Sequence, residues 1–172
     1  ALPVCGCSGV FNLGLGGPAA FEGRTLGDRL VDAATNAGIL VVAAAGNDGP
    51  APSSVSTPGT AFSALTAGAS SDPVHTRVFW DITFGPGQGH AMYPDGEFRP
   101  ADFSGRGPLA DGRARPDVTA TGVFNLSLFP QNGTGVASGT SFSTPAVAAR
   151  AAPLLGSSEA NEPQSPPLLP RP

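Results

Sequence analysis

The chain has 172 residues, 40% of them hydrophobic and 13% charged, and a formal net charge of −4. This is apolar enough to build the core of one domain, which excludes a disordered polymer. No basic patch invites nucleic acid and no apolar stretch suggests a membrane span, so neither is expected as a partner. The 24 glycines and 19 prolines instead predict many turns and close backbone approaches, as in a loop-rich enzyme scaffold.

Cys5 and Cys7 are separated by one residue, too close for an unstrained mutual bridge in an extended segment. No second Cys/His pair completes a zinc site, so they are read as structural or incidental thiols and no metal is assigned. Ala1 is not an initiator methionine and no leader pattern follows it, so a processed chain or a fragment is expected.

In chain order, Ser8–Leu13 reads as a short strand running into Gly14-Leu15-Gly16-Gly17-Pro18, a loop where backbone can lie against a ligand. A helix follows. Thr25 is an N-cap with Asp28 three residues on, Leu26, Leu30, Val31, Ala34 and Ala37 recur at helical spacing, and Gly38 stops the run. Residues 39–45 are continuously apolar, which marks a strand buried on both faces. Strand, helix and strand of these lengths make a βαβ unit with parallel pairing and a right-handed crossover.

Ligands of open α/β sheets sit beyond the carboxyl ends of the strands, and Gly46-Asn47-Asp48-Gly49-Pro50 falls at such an end. Asn47 offers a side-chain NH2 there, although Asn-Asp-Gly is also an ordinary turn sequence. Residues 64–69 read as another strand. Over 71–100, residues 78–84 and 91–93 flank Gly85-Pro86-Gly87-Gln88-Gly89 and predict an aromatic β-hairpin inserted on the surface. Residues 118–120 and 125–128 are read as short strands. Asn125-Leu126-Ser127 and Asn132-Gly133-Thr134 match the glycosylation acceptor pattern.

Gly139-Thr140-Ser141-Phe142-Ser143-Thr144-Pro145 precedes an alanine-rich helical run. Ser141 is placed in the first turn, where unpaired N–H groups and the helix dipole favour an alkoxide or oxyanion. Pro145 is read in the same first turn, where its missing N–H costs nothing. Alternatively, Thr140 or Ser141 only caps the helix. The helix is expected to end at Pro153, and the proline-rich residues 157–172 to be a disordered tail.

Together these segments resemble the subtilisin-like serine proteases, or subtilases. Residues 139–148 resemble that family's nucleophile motif, 43–49 its oxyanion-asparagine motif, and 10–17 its substrate-binding strand and loop. Residues 103–108 with 115–123 resemble the stretch before the nucleophile. The motifs keep the family's order over roughly residues 8–155. The resemblance implies an α/β class: an incomplete three-layer subtilisin-like fold, with a mainly parallel sheet flanked by helices and a β-hairpin insertion. Residues 1–156 would be a partial catalytic domain.

The resemblance gives Ser141 the role of nucleophile, with its own N–H and the Asn47 side chain receiving the oxyanion. Gly14, Leu15 and Gly16, with Ala44, Ala45 and Gly46, would form two backbone walls around an extended polypeptide substrate. It implies an extracellular location and no cofactor, with a structural calcium allowed in the complete domain. In this family the order is Asp, His, Ser, and the Asp/His segment lies before the substrate-binding strand. That segment is therefore an expected partner, covalent or separate, and the chain alone is expected to be inactive. Neither His75 nor His90 stands in a family base motif.

Further departures are Gly14 where the family usually has serine, Ala146 where it often has histidine, and Pro153. Without the preceding strands the sheet would keep an uncovered edge. Three readings remain: the C-terminal part of a serine endopeptidase, a pseudoprotease that only binds peptide, or a truncated product.

Overall fold

In the computed structural model, residues 9–161 are described. Cys5 and Cys7 lie outside them. Strand β1 (Gly9–Leu13) leads through a loop to α1 (Leu26–Asn36) and back into β2 (Ile39–Ala44). The first helix starts as its sequence requires. The Thr25 hydroxyl accepts from Asp28 N, and the Asp28 carboxylate accepts from Thr25 N at 3.0 Å, a capping box with aspartate in the third position. At the other end Gly38 takes φ +87, a value glycine adopts without strain.

β1 and β2 pair in parallel, Leu13 opposite Ala43, and β2 pairs in parallel with β3 (Leu65–Ser71). β5 (Val118–Thr121) is parallel to β3, while the two-residue β4 (Arg99–Pro100) joins β3 antiparallel. The apolar run in β2 has the meaning expected of it: both faces are covered. Val41 and Ala43 pack with Val31 of α1, Ala61 and Ala64. Val42, pointing the other way, packs with Ala67 of β3 and Ala148 of α4 (Thr140–Asn161). This helix–sheet–helix layering places the carboxyl ends of β1 and β2 beside the start of α4.

Three local expectations fail. Residues 73–92 are helical, forming α2 (Pro73–Phe84) and α3 (Gln88–Met92), not a hairpin. Asp72 accepts from Val74 N at 2.7 Å and His75 N at 3.2 Å, and Pro73 opens the first turn. That start signal outweighs the β-branched and aromatic content downstream. Trp80 then stacks at 4.9 Å on Phe84, one helical turn further on, while Phe79 stacks at 3.9 Å on Phe124 from the loop before β6. A hairpin does exist, at β6 (Asn125–Phe129) and β7 (Gly133–Ala137), the second of which was not expected.

The nucleophile-bearing helix also differs. It begins at Thr140, so Pro145 is its sixth residue and leaves the Ser141 carbonyl without the usual helical donor. It continues through Pro153 to Asn161; Ala149, whose carbonyl loses its partner there, is exposed and open to water. Residues 157–161 are thus helical rather than tail, and 162–172 lie outside the described residues.

Candidate active site

β2 ends at Ala44, and Gly46 turns the chain with φ +92 so that Asn47 emerges beyond the sheet. The Asn47 side-chain oxygen accepts from Thr140 N at 2.9 Å and from Thr140 Oγ1 at 3.0 Å. An amide from one loop therefore caps a helix far along the chain. The sequence had offered Thr140 or Ser141 as the cap; instead Thr140 is the first helical residue and is itself capped. With its oxygen doubly engaged, Asn47 keeps Nδ2 as its donor, which has no partner among the described residues.

Ser141 follows, exposed, in the first turn. Its N–H is one of the unpaired donors of a helix start, and its hydroxyl has no partner among the described residues. Thr144 Oγ1 donates to the Thr140 carbonyl at 2.7 Å, and buried Ser143 donates to Ala120 O at 3.1 Å. These contacts fix the turn that carries Ser141 against β5.

Asn47 and Ser141 line one cavity of about 430 Å3, together with Leu15, Gly16, Ala44 and Gly46. Most of the residues singled out from sequence are thus brought together. Gly14 lies just outside the cavity but against the serine: a β-carbon there would lie 3.1 Å from the Ser141 carbonyl oxygen. Ala45 is turned inward and fully buried, its N–H bonded to Ala67 O and its carbonyl to Ser56 N. Its backbone is already paired within the fold.

Two cavity residues were not singled out. Asp48 stands in the turn and in the oxyanion-asparagine motif without a role of its own, and Ser56 lies in a loop without a motif. Ser56 is 3% exposed and donates to Asp48 Oδ2 at 3.3 Å. No sequence pattern links these residues; the antiparallel bridge between Gly17 and Thr57 brings the 53–57 loop to the cavity.

Neither histidine lines this cavity. His75 is at the exposed start of α2 and His90 is on α3. Asp95, near His90 in sequence, is ion-paired with Arg99. Among the described residues no group of three or more His, Cys, Asp or Glu is placed to hold a metal, and no helix is long and apolar enough to cross a membrane.

On its far side β1 has no partner strand among the described residues; it pairs only with β2. Beside it is a cleft of about 690 Å3, lined by Phe11, Leu13, Leu26 and Leu30, of which Leu26 is 74% exposed.

Residues 8–165 match the sequence model of the subtilase family. Pyrolysin of Pyrococcus furiosus is 35% identical over 158 residues, covering 88% of this chain and 11% of that protein. Serine protease AprX of Bacillus subtilis is 33% identical over 126 residues, covering 72% of this chain and 25% of that protein. The solved structure of the S41 psychrophilic protease superposes with a TM-score of 0.63 at 30% identity, covering 88% of this chain and 44% of that one. The chain thus spans less than half the length of each of these three proteins.

Proposed function

The chain belongs to the subtilase family, and from that premise we propose that it is the nucleophile-bearing part of a serine endopeptidase cleaving polypeptides through an acyl-enzyme. Ser141 Oγ attacks the scissile carbonyl carbon, and the C=O electron pair moves onto oxygen. Asn47 Nδ2 and the Ser141 N–H receive that oxyanion. Collapse, with the proton taken from Ser141 handed by the base to the departing nitrogen, expels the amine and leaves the acyl group on Ser141; water then releases it as the acid.

The proton of Ser141 must go to a base, which this reading assigns to the Asp/His segment outside the chain, linked to it or supplied as a second chain. The unpaired edge of β1 and the apolar cleft beside it support docking of that segment. An extracellular location accompanies the reading on family likeness. The observation that carries it is the single cavity shared by Asn47 and Ser141, held by the Asn47–Thr140 hydrogen bonds.

The absence of both histidines from the cavity favours a second reading, a scaffold that binds peptide without hydrolysing it. Fluorophosphonate labelling separates the two. The full-length polypeptide carrying this chain should label at Ser141, the Ser141→Ala variant should not, and the isolated chain should label far more slowly. A folded full-length protein that never labels would leave the scaffold.

A further inference from the structure

We propose that Asn132 is a self-modifying site: in the folded protein its side-chain amide is lost without any enzyme, leaving aspartate and isoaspartate in the turn between β6 and β7. The reaction is intramolecular. The backbone nitrogen of Gly133 gives its proton to solvent base and attacks Asn132 Cγ; the Cγ–Nδ2 bond breaks, and Nδ2 takes a proton from water and leaves as ammonia. Water then opens the cyclic imide at either carbonyl. Opening at the side-chain carbonyl gives aspartate, and opening at the main-chain carbonyl gives isoaspartate, whose backbone runs through the former side chain.

Sequence and exposure both set Asn132 apart. Of the asparagines at 12, 36, 47, 125, 132 and 161, Asn132 alone precedes a glycine, and a neighbour without Cβ leaves the attacking nitrogen least hindered. Asn132 is exposed, so solvent reaches both the amide and the imide. Asn125 differs: its Nδ2 is buried and Leu126 follows it. Asn47 is held to Thr140 by two hydrogen bonds.

The turn is also weakly held. Gln131 and Asn132 both take positive φ, +62 and +59, a region that glutamine disfavours, and the Gly133 N–H donates to Pro130 O at the long distance of 3.3 Å. Attack requires that bond to break and Asn132 to turn, and opening the tip of a two-stranded hairpin disturbs little else. The base of the hairpin is anchored separately. Gly139 N–H donates to Gly122 O at 2.8 Å and Phe124 N–H to Ser138 Oγ at 2.9 Å, so the extra backbone carbon of isoaspartate loosens the tip and leaves the start of α4 in place.

The test incubates the full-length polypeptide carrying this chain, folded and, in parallel, unfolded in urea. Samples go to peptide mass spectrometry, with electron-transfer fragmentation to separate the two products. In the folded protein the Asn132 peptide should gain about one dalton as amide becomes acid. The rate should rise about tenfold per pH unit between about pH 7 and pH 9, because the deprotonated nitrogen is the attacker. Gly133→Ala should slow it several-fold, and Asn132→Gln, which would need a larger ring, should abolish it on the same timescale; Asn12, Asn47 and Asn125 should stay intact. Hydrogen exchange of the converted protein should quicken over 125–137 and not over 140–150. Asn132 surviving in the folded protein, whether or not the unfolded chain converts, overturns the proposal. So does earlier conversion at another asparagine, a Gly133→Ala rate equal to that of the natural sequence, or quickened exchange that reaches α4.

Discussion

The side-chain oxygen of Asn47 lies 2.9 Å from the backbone nitrogen of Thr140, 93 residues further along the chain. One amide group thereby divides its two ends. Its oxygen completes the start of α4, and its nitrogen is left free to donate at the cavity. The placement of Ser141 and the orientation of Asn47 are consequently a single structural event.

Replacing Asn47 by aspartate separates these two tasks. The carboxylate still accepts from Thr140 N, at a helix end that favours negative charge, so urea-denaturation midpoints should shift by less than the equivalent of about 1 kcal/mol. The donor is lost and a like charge faces the oxyanion. The rate of fluorophosphonate labelling at Ser141 should fall by about 10²–10³, a magnitude measured for the oxyanion asparagine of a member of this family and adopted here. Equal labelling rates would remove Asn47 from the oxyanion site.

Thr140→Val keeps the backbone N–H but deletes the hydroxyl that donates to Asn47. Thr140 is 1% exposed, so the isosteric change leaves the space filled and costs about 1 kcal/mol for the lost hydrogen bond. Labelling should slow several-fold because the amide is less firmly oriented, and Thr140→Ser should recover most of the rate. Recovery failing in the serine variant would point to methyl packing instead.

Asp28 is fully buried, and its carboxylate accepts from Thr25 N, Thr25 Oγ1, Thr57 Oγ1 and Thr60 Oγ1. It ties the start of α1 to the 57–60 turn beneath the Gly17–Thr57 bridge. Asp28→Ala strands several buried donors and should destabilise the protein by about 3 kcal/mol in chemical denaturation. A loss below about 1 kcal/mol would mean that water or a neighbour replaces the carboxylate.

Gly46→Ala should be poorly tolerated for two independent reasons. The φ of +92 is unfavourable for a side chain, and the new methyl would meet Ser56 Oγ and Cβ. We expect a loss of about 2 kcal/mol or more by thermal or urea unfolding. Adding Ser56→Gly should return part of it, since the hydroxymethyl contact disappears while the backbone strain stays. A strictly additive double mutant would show that the two residues do not touch.

Much of this was legible along the chain because the signals are local. Thr25 and Asp28 sit three residues apart and cap α1 as a pair, and the apolar run at 39–44 is buried on both faces by the layers the βαβ pattern requires. The order of the motifs around Asn47 and Ser141 pointed to one family before any coordinates. Where two local signals competed, the sequence was misread. Residues 78–84 carry strand-like composition, yet Asp72 and Pro73 had already started a helix. Residues 130–132 form the turn of the β6–β7 hairpin, with Gln131 and Asn132 at φ +62 and +59, a turn that the glycosylation pattern beginning at Asn132 did not signal.

The sequence by itself determined which residues stand ready at strand ends and at a helix start, since capping, periodicity and glycine placement act over a few residues. Only the tertiary structure decided that Asn47 caps α4, that Ala45 turns inward, and that buried Ser56 and exposed Asp48 line the cavity. Those relationships join segments from 8 to 93 residues apart. They arise when the sheet brings its carboxyl ends beside α4, and no short-range pattern encodes them.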